Sequence, residues 1–449
     1  MKYTLSRYNR FQPWQNGYHI AYNARSGAVA LMTEENYRTY LAIGEKLSGR
    51  DTGELNASEQ ALLDQLAYGK FAFPTEYDEL AAIKFTHQLN RFESSSLGLI
   101  VAPTMNCNMA CTYCFEQNKR GSMPPEVIEA LIEFVEKRAP GLRHVDINWY
   151  GGEPLLAMAA IEDITQSMLD LAAEHAFTYT SSMISNGYLL TPDIVDRLVD
   201  AKVSMVQITL DGPRRVHDER RPLKNGRGSF DRIIENITYA VKKMAIGVRV
   251  NIDKQYNEAL IAELLAELEA AGLQQRVGIY FGLLEPASEV CANIAENCYN
   301  ANEFSEVEVQ YYRQLLQHGF RILRLPSPVG VYCMAQIVNA FLVDPDGDIY
   351  RCFNHVGDKS KIMGNIRNPI NYEDPNFRRL FAFDPFEDSM CRECSILPIC
   401  MGGCPAKRVD RNLIGEELCE TWRHNLHSML DIIAASRQQQ QQAAAAAKE

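Results

Sequence analysis

The chain has 449 residues, enough for two or three domains, and it is 46% apolar and 23% charged, as is ordinary for globular proteins. Its formal net charge of −12 argues against nucleic acid as a partner, because phosphate binding needs basic patches. No apolar run is long enough to span a membrane and the start lacks a signal-peptide core, so we expect a cytoplasmic protein without a membrane partner.

Twelve cysteines in such a chain indicate metal chemistry rather than disulfides, because a reducing cytosol keeps thiols reduced. The only tight basic group is Arg214-Arg215 with Arg220-Arg221 behind it. This group is either a solvated loop or a site that binds carboxylates.

The first part of the chain, residues 1–95, reads as a small α+β module. Residues 18–32 form two short strands around a turn, and helices follow at about 33–47, 58–68 and 77–92. We therefore predict a hairpin with three helices.

From residue 97 to about 286, strand-like and helix-like segments alternate. The strands are residues 97–101, 145–149, 178–184, 204–210, 247–252 and 277–283, and the helices are residues 125–138, 156–174, 192–201, 230–244 and 258–271. Alternation of this kind predicts a parallel sheet with helical crossovers.

Two motifs follow the first two of these strands. Cys107, Cys111 and Cys114 lie in one short loop. A structural zinc site needs four ligands, whereas an iron–sulfur cube held by three thiolates leaves one iron for a small molecule. The spacing favours a cluster, with zinc or inert buried thiols as alternatives. The second motif is Tyr150-Gly151-Gly152-Glu153-Pro154, whose glycines permit close backbone approach and whose carboxylate can hold an ammonium.

The two motifs in this order resemble those of the radical S-adenosylmethionine (radical SAM) superfamily. The resemblance implies a partial (β/α)6 TIM barrel at residues 96–286 and a [4Fe–4S] cluster whose open iron binds SAM. It assigns the cluster ligands as Cys107, Cys111 and Cys114, a border of the adenine as Tyr113, and the methionine-binding motif as Gly151, Gly152, Glu153 and Pro154.

Further polar motifs follow the third and fourth strands, where barrel chemistry gathers. They are Ser185-Asn186-Gly187, Thr209-Leu-Asp211-Gly212 and His217-Asp218-Glu-Arg-Arg221. The resemblance implies that Thr209 and Asp211 hydrogen-bond the ribose or carboxylate of SAM and that Arg221 supplies an arginine. Each of these motifs alone also fits an ordinary turn.

A linker and a helix are predicted at residues 287–330. The linker contains Cys291 and Cys298, which fit no recognisable pattern. They are either ordinary buried thiols, or one of them completes a cluster.

The last third holds a second group of cysteines. Cys333 and Cys352 flank a predicted hairpin with an Asp-Gly turn, and the run from Cys391 to Cys404 is compact, with Cys419 beyond it. By itself the compact run fits zinc equally well.

The whole spacing resembles the SPASM extension of radical SAM enzymes, at residues 331–425, which carries two auxiliary [4Fe–4S] clusters. The resemblance assigns Cys333, Cys352 and Cys404 to auxiliary cluster I, and Cys391, Cys394, Cys400 and Cys419 to auxiliary cluster II. Cluster I then has three ligands, and Cys291, Cys298, water or a substrate thiol remain for the fourth position. Residues 426–449 are a helical or disordered low-complexity tail without an assigned function.

These resemblances imply an enzyme that cleaves SAM to a 5′-deoxyadenosyl radical, with three [4Fe–4S] clusters and an electron donor such as flavodoxin or ferredoxin. Its expected substrate is a ribosomally made peptide or protein, which it would cross-link or oxidise. The alternatives are an anaerobic sulfatase-maturating enzyme, a small-molecule radical enzyme and a non-catalytic metal scaffold. Sulfatase-maturating enzymes carry an Asp after the cysteine that matches Cys352, whereas this chain has Phe353.

The N-terminal module resembles the winged-helix-like elements of some peptide-modifying enzymes. In those elements a leader peptide adds as an extra strand to an exposed sheet edge. The alternative is a cap that only packs on the barrel.

Overall fold

A computed structural model describes residues 2–116, 121–286, 294–410 and 418–446. The fold is α/β, as expected, with a nine-stranded, mostly parallel sheet at its centre. Within the described ranges, no helix combines the length and the apolar character needed to cross a bilayer.

The strands are β1 (Tyr3–Leu5), β2 (Asn9–Pro13), β3 (Tyr18–Asn23), β4 (Ala28–Thr33), β5 (Ala72–Pro74), β6 (Ser96–Thr104), β7 (His144–Gly151), β8 (Thr178–Ser185), β9 (Val203–Thr209), β10 (Ala245–Ile252), β11 (Val277–Leu283), β12 (Arg321–Ile322), β13 (Ala340–Val343) and β14 (Ile349–Tyr350). The helices are α1 (Glu34–Leu47), α2 (Ala57–Tyr68), α3 (Glu79–Arg91), α4 (Pro125–Glu136), α5 (Met158–His175), α6 (Pro192–Asp200), α7 (Arg214–Arg220), α8 (Phe230–Ala240), α9 (Glu258–Ala270), α10 (Ala301–Gln317), α11 (Pro375–Arg379), α12 (Ser389–Arg392), α13 (Leu397–Cys400), α14 (Pro405–Asp410) and α15 (Trp422–Ala446).

The N-terminal module contains the predicted hairpin, β3–β4, and the three predicted helices, α1 to α3. Each helix begins after a side chain that accepts a backbone N–H bond, namely Thr33, Asn56 or Asp78. The hairpin gains a third antiparallel strand in β2, and β1 pairs with β5 in a separate two-stranded sheet. The sequence analysis missed β1, β2 and β5.

Strands β6 to β11 are parallel neighbours in the large sheet, joined by the predicted helices. Alternation along β7 shows how the sheet is used. Val145, Ile147 and Trp149 are fully buried, whereas Asp146 and Asn148 on the other face are half-buried. The apolar face therefore packs in the core, and the second face carries polar side chains.

The C-terminal region continues the same sheet. Strand β13 runs parallel to β6, with Ala340 opposite Gly98 and Val343 opposite Val101, and β14 returns antiparallel to β13. The predicted hairpin around the Asp-Gly turn is thus confirmed. The outer strand β12, which the sequence analysis missed, pairs with β11 at the opposite end.

The N-terminal module contacts the C-terminal region directly. The Tyr22 hydroxyl donates to the Pro326 carbonyl at 2.6 Å, and Gln12 Nε2 donates to Asp431 Oδ1 at 2.7 Å. Asp431 lies on α15, a continuous helix that packs on α10. The predicted tail is therefore helical as far as Ala446, and its first turns join the module to the rest of the molecule.

Candidate active site

The loop with the first three cysteines leaves the carboxyl end of β6 and is held by the segment that follows α7. The backbone N–H groups of Ala110 and Thr112 donate to the Pro222 and Arg220 carbonyls at 2.8 and 3.0 Å. Cys107, Cys111 and Cys114 are all half-buried. The loop is thus fixed by backbone bonds on both sides of Cys111.

Gly151 and Gly152 lie directly against this loop. Gly151 has φ +114°, and a Cβ atom there would be 2.2 Å from the Thr104 carbonyl oxygen. A Cβ atom at Gly152 would be 2.4 Å from the Asn106 carbonyl oxygen. The close approach that the sequence indicated is therefore made first to the cysteine loop itself.

Glu153 links the ends of β7 and β8. Its buried carboxylate accepts hydrogen bonds from Ser185 Oγ at 2.9 Å, the Asn186 N–H at 2.8 Å and the Leu155 N–H at 3.1 Å. Burial raises its pKa to about 6. Asn186 in turn donates to Asn108 Oδ1 at 2.7 Å, so the Ser-Asn-Gly turn also reaches the cysteine loop. Pro154 begins a short helical turn after Glu153 and is buried.

Tyr113, Asp211 and Arg221 form one buried network, although they are far apart in the chain. The Tyr113 hydroxyl donates to Asp211 Oδ2 and accepts from Arg221 Nη1 at 2.6 Å. Arg221 Nη1 lies 3.8 Å from Asp211 Oδ2. Thr209, which ends β9 two residues before Asp211, is also buried.

Several members of this network were not predicted. Asn251 Nδ2 donates to the Tyr113 hydroxyl at 3.1 Å, and the Asn251 N–H donates to Asp211 Oδ1 at 3.1 Å. His217 Nδ1 accepts from the Asp211 N–H at 3.1 Å, and burial holds the His217 pKa well below its usual range. The position of Asn251 near the end of a barrel strand is the signal that could have identified it.

The basic group of four arginines contains one exposed pair, as expected of a solvated loop, and one buried pair that binds carboxylates. Arg214 and Arg215 pair with Asp231 and Glu263 on the surface, as a solvated face would. Arg220 and Arg221 are buried, and Arg220 bonds Asp253 at 2.8 Å. The carboxylates that these two arginines bind belong to the chain itself.

Four C-terminal cysteines line one cavity, and they are the set assigned to auxiliary cluster II. The cysteines that line it are Cys391, Cys394, Cys400 and Cys419. Two arginines also line it: Arg408 Nη2 lies 3.6 Å from Cys391 Sγ, and Arg423 Nη1 lies 3.8 Å from Cys394 Sγ. Cationic donors at the sulfurs suit an anionic group.

The other three cysteines lie near one another on different segments. Burial raises the pKa of the Cys333 thiol to about 12, and the charges of Cys404 and Cys352 contribute. Burial raises the pKa of the Tyr150 hydroxyl well above its usual value, and the charges of Cys114 and Cys352 contribute. Tyr150 therefore lies between the first cysteine loop and this set. Cys298 Sγ lies 3.3 Å from the Ile294 carbonyl, and Cys291 lies outside the described residues.

The spacing of the thiols bears on the kind of metal centre. Among the described residues, no three cysteine sulfurs lie within 4.8 Å of one another. Ligands of one zinc ion, at about 2.3 Å from it, would lie closer together than that. In a cube each thiolate binds a different iron, so the ligands of one cluster need not lie this close to one another.

Comparisons with known proteins agree with this geometry. The Radical SAM superfamily model matches residues 101–268. The cysteine-type anaerobic sulfatase-maturating enzyme of Clostridium perfringens is 26% identical, over 69% of this chain and 88% of that protein. Mycofactocin maturase MftC of Mycolicibacterium smegmatis is 25% identical, over 72% of this chain and 82% of that protein.

Solved structures share the fold. The anSMEcpe structure with bound AdoMet and Kp18Cys peptide has a TM-score of 0.59 at 20% identity, covering 76% of this chain and 99% of that one. Streptococcus suis SuiB bound to its precursor peptide SuiA has a TM-score of 0.53 at 16% identity, covering 91% of this chain and 97% of that one. The segment of this chain that the Radical SAM superfamily model matches contains both the cysteine loop and the Gly-Gly-Glu turn.

Proposed function

We propose that this protein uses SAM and iron–sulfur clusters to modify a side chain of a ribosomally made peptide or protein, by cross-linking or oxidation. The observation that carries the proposal is the continuity of the sheet. Strand β13 lies beside β6, and Cys352 follows β14, so a C-terminal thiol set is attached to the strand that bears the first cysteine loop. The sulfatase-maturating enzyme and maturase relatives support a polypeptide substrate.

In this proposal Cys107, Cys111 and Cys114 hold the cluster that binds SAM. When bound, that cluster and SAM would supply reductive cleavage to a 5′-deoxyadenosyl radical, with flavodoxin or ferredoxin as the electron source. The chain's own contribution is orientation. Glu153 fixes the turn after β8 against the cysteine loop, and the Asp211 network presents buried polar groups at the ends of β9 and β10.

The first test is anaerobic reconstitution with iron and sulfide, followed by SAM and dithionite. We expect 5′-deoxyadenosine by liquid chromatography, and its loss when Cys111 is replaced by Ala. The matched control is Cys298→Ala, which should retain the product. A reconstituted, iron-loaded protein that releases no 5′-deoxyadenosine would instead be a metal scaffold.

We propose that the N-terminal module binds the precursor along β4. Within the described residues β4 pairs only with β3, so its other edge is available for an added strand. Exposed apolar side chains lie on β4 and on the helix that follows it: Leu31 on β4 is 48% exposed and Leu41 on α1 is 47% exposed. A peptide strand there would gain backbone bonds and apolar contacts.

This binding can be measured with fluorophore-labelled synthetic peptides taken from short reading frames beside the gene. Leu31→Asp should weaken binding at least tenfold in fluorescence anisotropy. Leu156→Asp, an equally exposed leucine outside the module at 47%, is the control and should bind as the parent does. Equal affinity of both variants would leave the module as a structural element only.

The sulfatase-maturating activity is the second candidate, because relatives of that name match most of the chain. Phe353 weighs against it. Its ring packs edge-on against Tyr150 with centroids 4.9 Å apart, and it offers no acid or base. Formylglycine formation on Cys- or Ser-containing sulfatase peptides, detected by mass spectrometry, would favour this candidate over the first.

A further inference from the structure

The cysteine set of auxiliary cluster I leaves one iron without a protein thiolate. Cys333, Cys352 and Cys404 supply three sulfurs to a cube that has four irons. A fourth ligand from the chain must have its donor atom beside these cysteines. Among the described residues, the carboxylate of Glu420, just before α15, lies there.

Glu420 lies between residues that adjoin two of the three cysteines. Its Oε1 accepts a hydrogen bond from the Tyr332 hydroxyl at 2.6 Å, and Tyr332 directly precedes Cys333. A Cβ atom placed at Gly403 would be 3.6 Å from the same oxygen, and Gly403 directly precedes Cys404. The carboxylate therefore lies between the two backbone segments that carry Cys333 and Cys404.

Electrostatic contacts agree with this placement. The Glu420 charge contributes to raising the pKa values of the Cys404 thiol and of the Tyr332 hydroxyl. The charges of Cys404 and Cys333 also contribute to the raised pKa of the Tyr332 hydroxyl. Glu420 thus lies close to Tyr332 and to these two thiols, and it also lies close to Cys400 of the other set.

We propose that Glu420 is the fourth ligand of auxiliary cluster I and that Tyr332 positions it; the inference rests on the cysteine assignment in the proposed function. The Tyr332 hydroxyl occupies Oε1, which leaves Oε2 for the iron. The carboxylate binds as the anion, so no electron moves and the tyrosine keeps its proton. A hydrogen-bonded carboxylate is the usual arrangement of an oxygen ligand to a metal. The cluster is then closed to substrate thiols and to solvent.

The experiment uses full-length protein in which Cys107, Cys111 and Cys114 are replaced by Ala, so that the SAM-binding iron cannot respond. After anaerobic reconstitution and reduction in water enriched in oxygen-17, electron–nuclear double resonance records whether a water oxygen binds the cluster. We expect no oxygen-17 coupling in this parent, a coupling in Glu420→Gln, where water takes the fourth position, and none in Glu420→Cys, where sulfur replaces oxygen.

Glu393→Gln is the matched control. Glu393 also adjoins a cysteine, Cys394, but its carboxylate pairs with Arg7 at 3.2 Å on the surface, so this variant should show no oxygen-17 coupling. A coupling in the parent, or none in Glu420→Gln, would overturn the role of Glu420. Iron content separates this from a failure of the proposed function: if Cys333→Ala loses no iron, the cysteine assignment itself is wrong.

Discussion

Gly152 is the residue at which the cysteine loop and the second motif meet. Replacing it by Ala would put a Cβ atom 2.4 Å from the Asn106 carbonyl oxygen, which forces the loop to move. We expect the Gly152→Ala protein to lose the iron of that cluster, about four atoms per chain, and to keep the rest. Iron analysis after reconstitution measures this.

Gly141→Ala is the control for this substitution. Nothing lies within 4 Å of a Cβ atom at Gly141, so the variant should load iron like the parent. Full iron in both variants would mean that the loop can shift without losing its cluster.

Asp344 predicts a pH dependence of stability. Burial raises its pKa from 3.8 to about 6, and the neighbouring Asp348 and Asp346 charges add to this. Between these two pH values the folded chain binds more protons than the unfolded chain, so stability falls as pH rises and stays lower above pH 6.

Asp344→Asn should therefore raise the free energy of unfolding at pH 7 by about 1–3 kcal/mol, and the gain should shrink as pH falls toward 4. Asn keeps an oxygen for the Asp346 and Asp348 N–H bonds. Thermal unfolding across this pH range measures the difference. Asp163→Asn, an exposed position on α5, should show no such trend, and a pH-independent gain at residue 344 would contradict the burial argument.

The residues that the resemblance assigned to SAM binding illustrate which sites a short motif can indicate. Thr209, Asp211 and Arg221 could be proposed because they stand in short motifs after a strand. Asn251 has the signal of a position near a strand end, but its pairing with Asp211, forty residues away in the chain, arises only through the fold, as does the pairing of Glu420 with Tyr332 across eighty-eight residues. No local pattern marks such pairs.

At the level of elements, β6 to β11 and the helices between them, apart from α7, were predicted within a few residues. Each has a strong local signal, such as Thr191 before Pro192 at the start of α6, or the apolar run of β11. Strands β1, β5 and β12 were missed because they are two or three residues long and exist only through distant partners. Their sequences carry no periodicity to read.

The β13–β14 hairpin depends on one buried arginine. Arg351 donates to the carbonyl oxygens of Ala340 at 2.8 Å, Ala335 at 3.0 Å and Ile337 at 2.7 Å. These bonds fold the segment after Cys333 back onto the hairpin that leads to Cys352. Arg351 thus holds together the two backbone segments that carry Cys333 and Cys352.

Arg351→Met should lower the free energy of unfolding by about 3–5 kcal/mol, since it leaves three buried carbonyls without these donors. Denaturant titration under anaerobic conditions measures the loss. Arg367→Met, on the exposed side of the hairpin, should change stability by less than about 0.5 kcal/mol. Equal effects of the two would show that the buried bonds are not decisive.

For the whole molecule, apolar contacts rather than ion pairs should hold the N-terminal module in place. Ile83 on α3 is buried in the main core, and the Nδ1–H of His87, one turn later, donates to the Gly330 carbonyl at 2.8 Å. Lys84 on the same helix pairs with Glu387 at 2.8 Å but both side chains are largely exposed. Exposed pairs contribute little.

Ile83→Ala should therefore destabilise the protein by about 2–4 kcal/mol and speed proteolytic release of the module, whereas Lys84→Ala should stay within about 0.5 kcal/mol of the parent. Thermal unfolding and limited proteolysis at low and high salt test both. A large, salt-sensitive loss of stability in Lys84→Ala would show instead that ion pairs hold the module in place.

The position of β6 between β7 and β13 sets a condition on biosynthesis. Its partner Val343 follows Val101 by more than two hundred residues, so the strand that presents the first cysteines keeps one edge open while the ribosome makes the intervening chain. Iron delivered during translation would meet an incomplete set of cysteine ligands. Maturation of the metal centres is thus expected to begin only after release of the finished polypeptide, and a nascent chain stalled before residue 340 should be prone to aggregate.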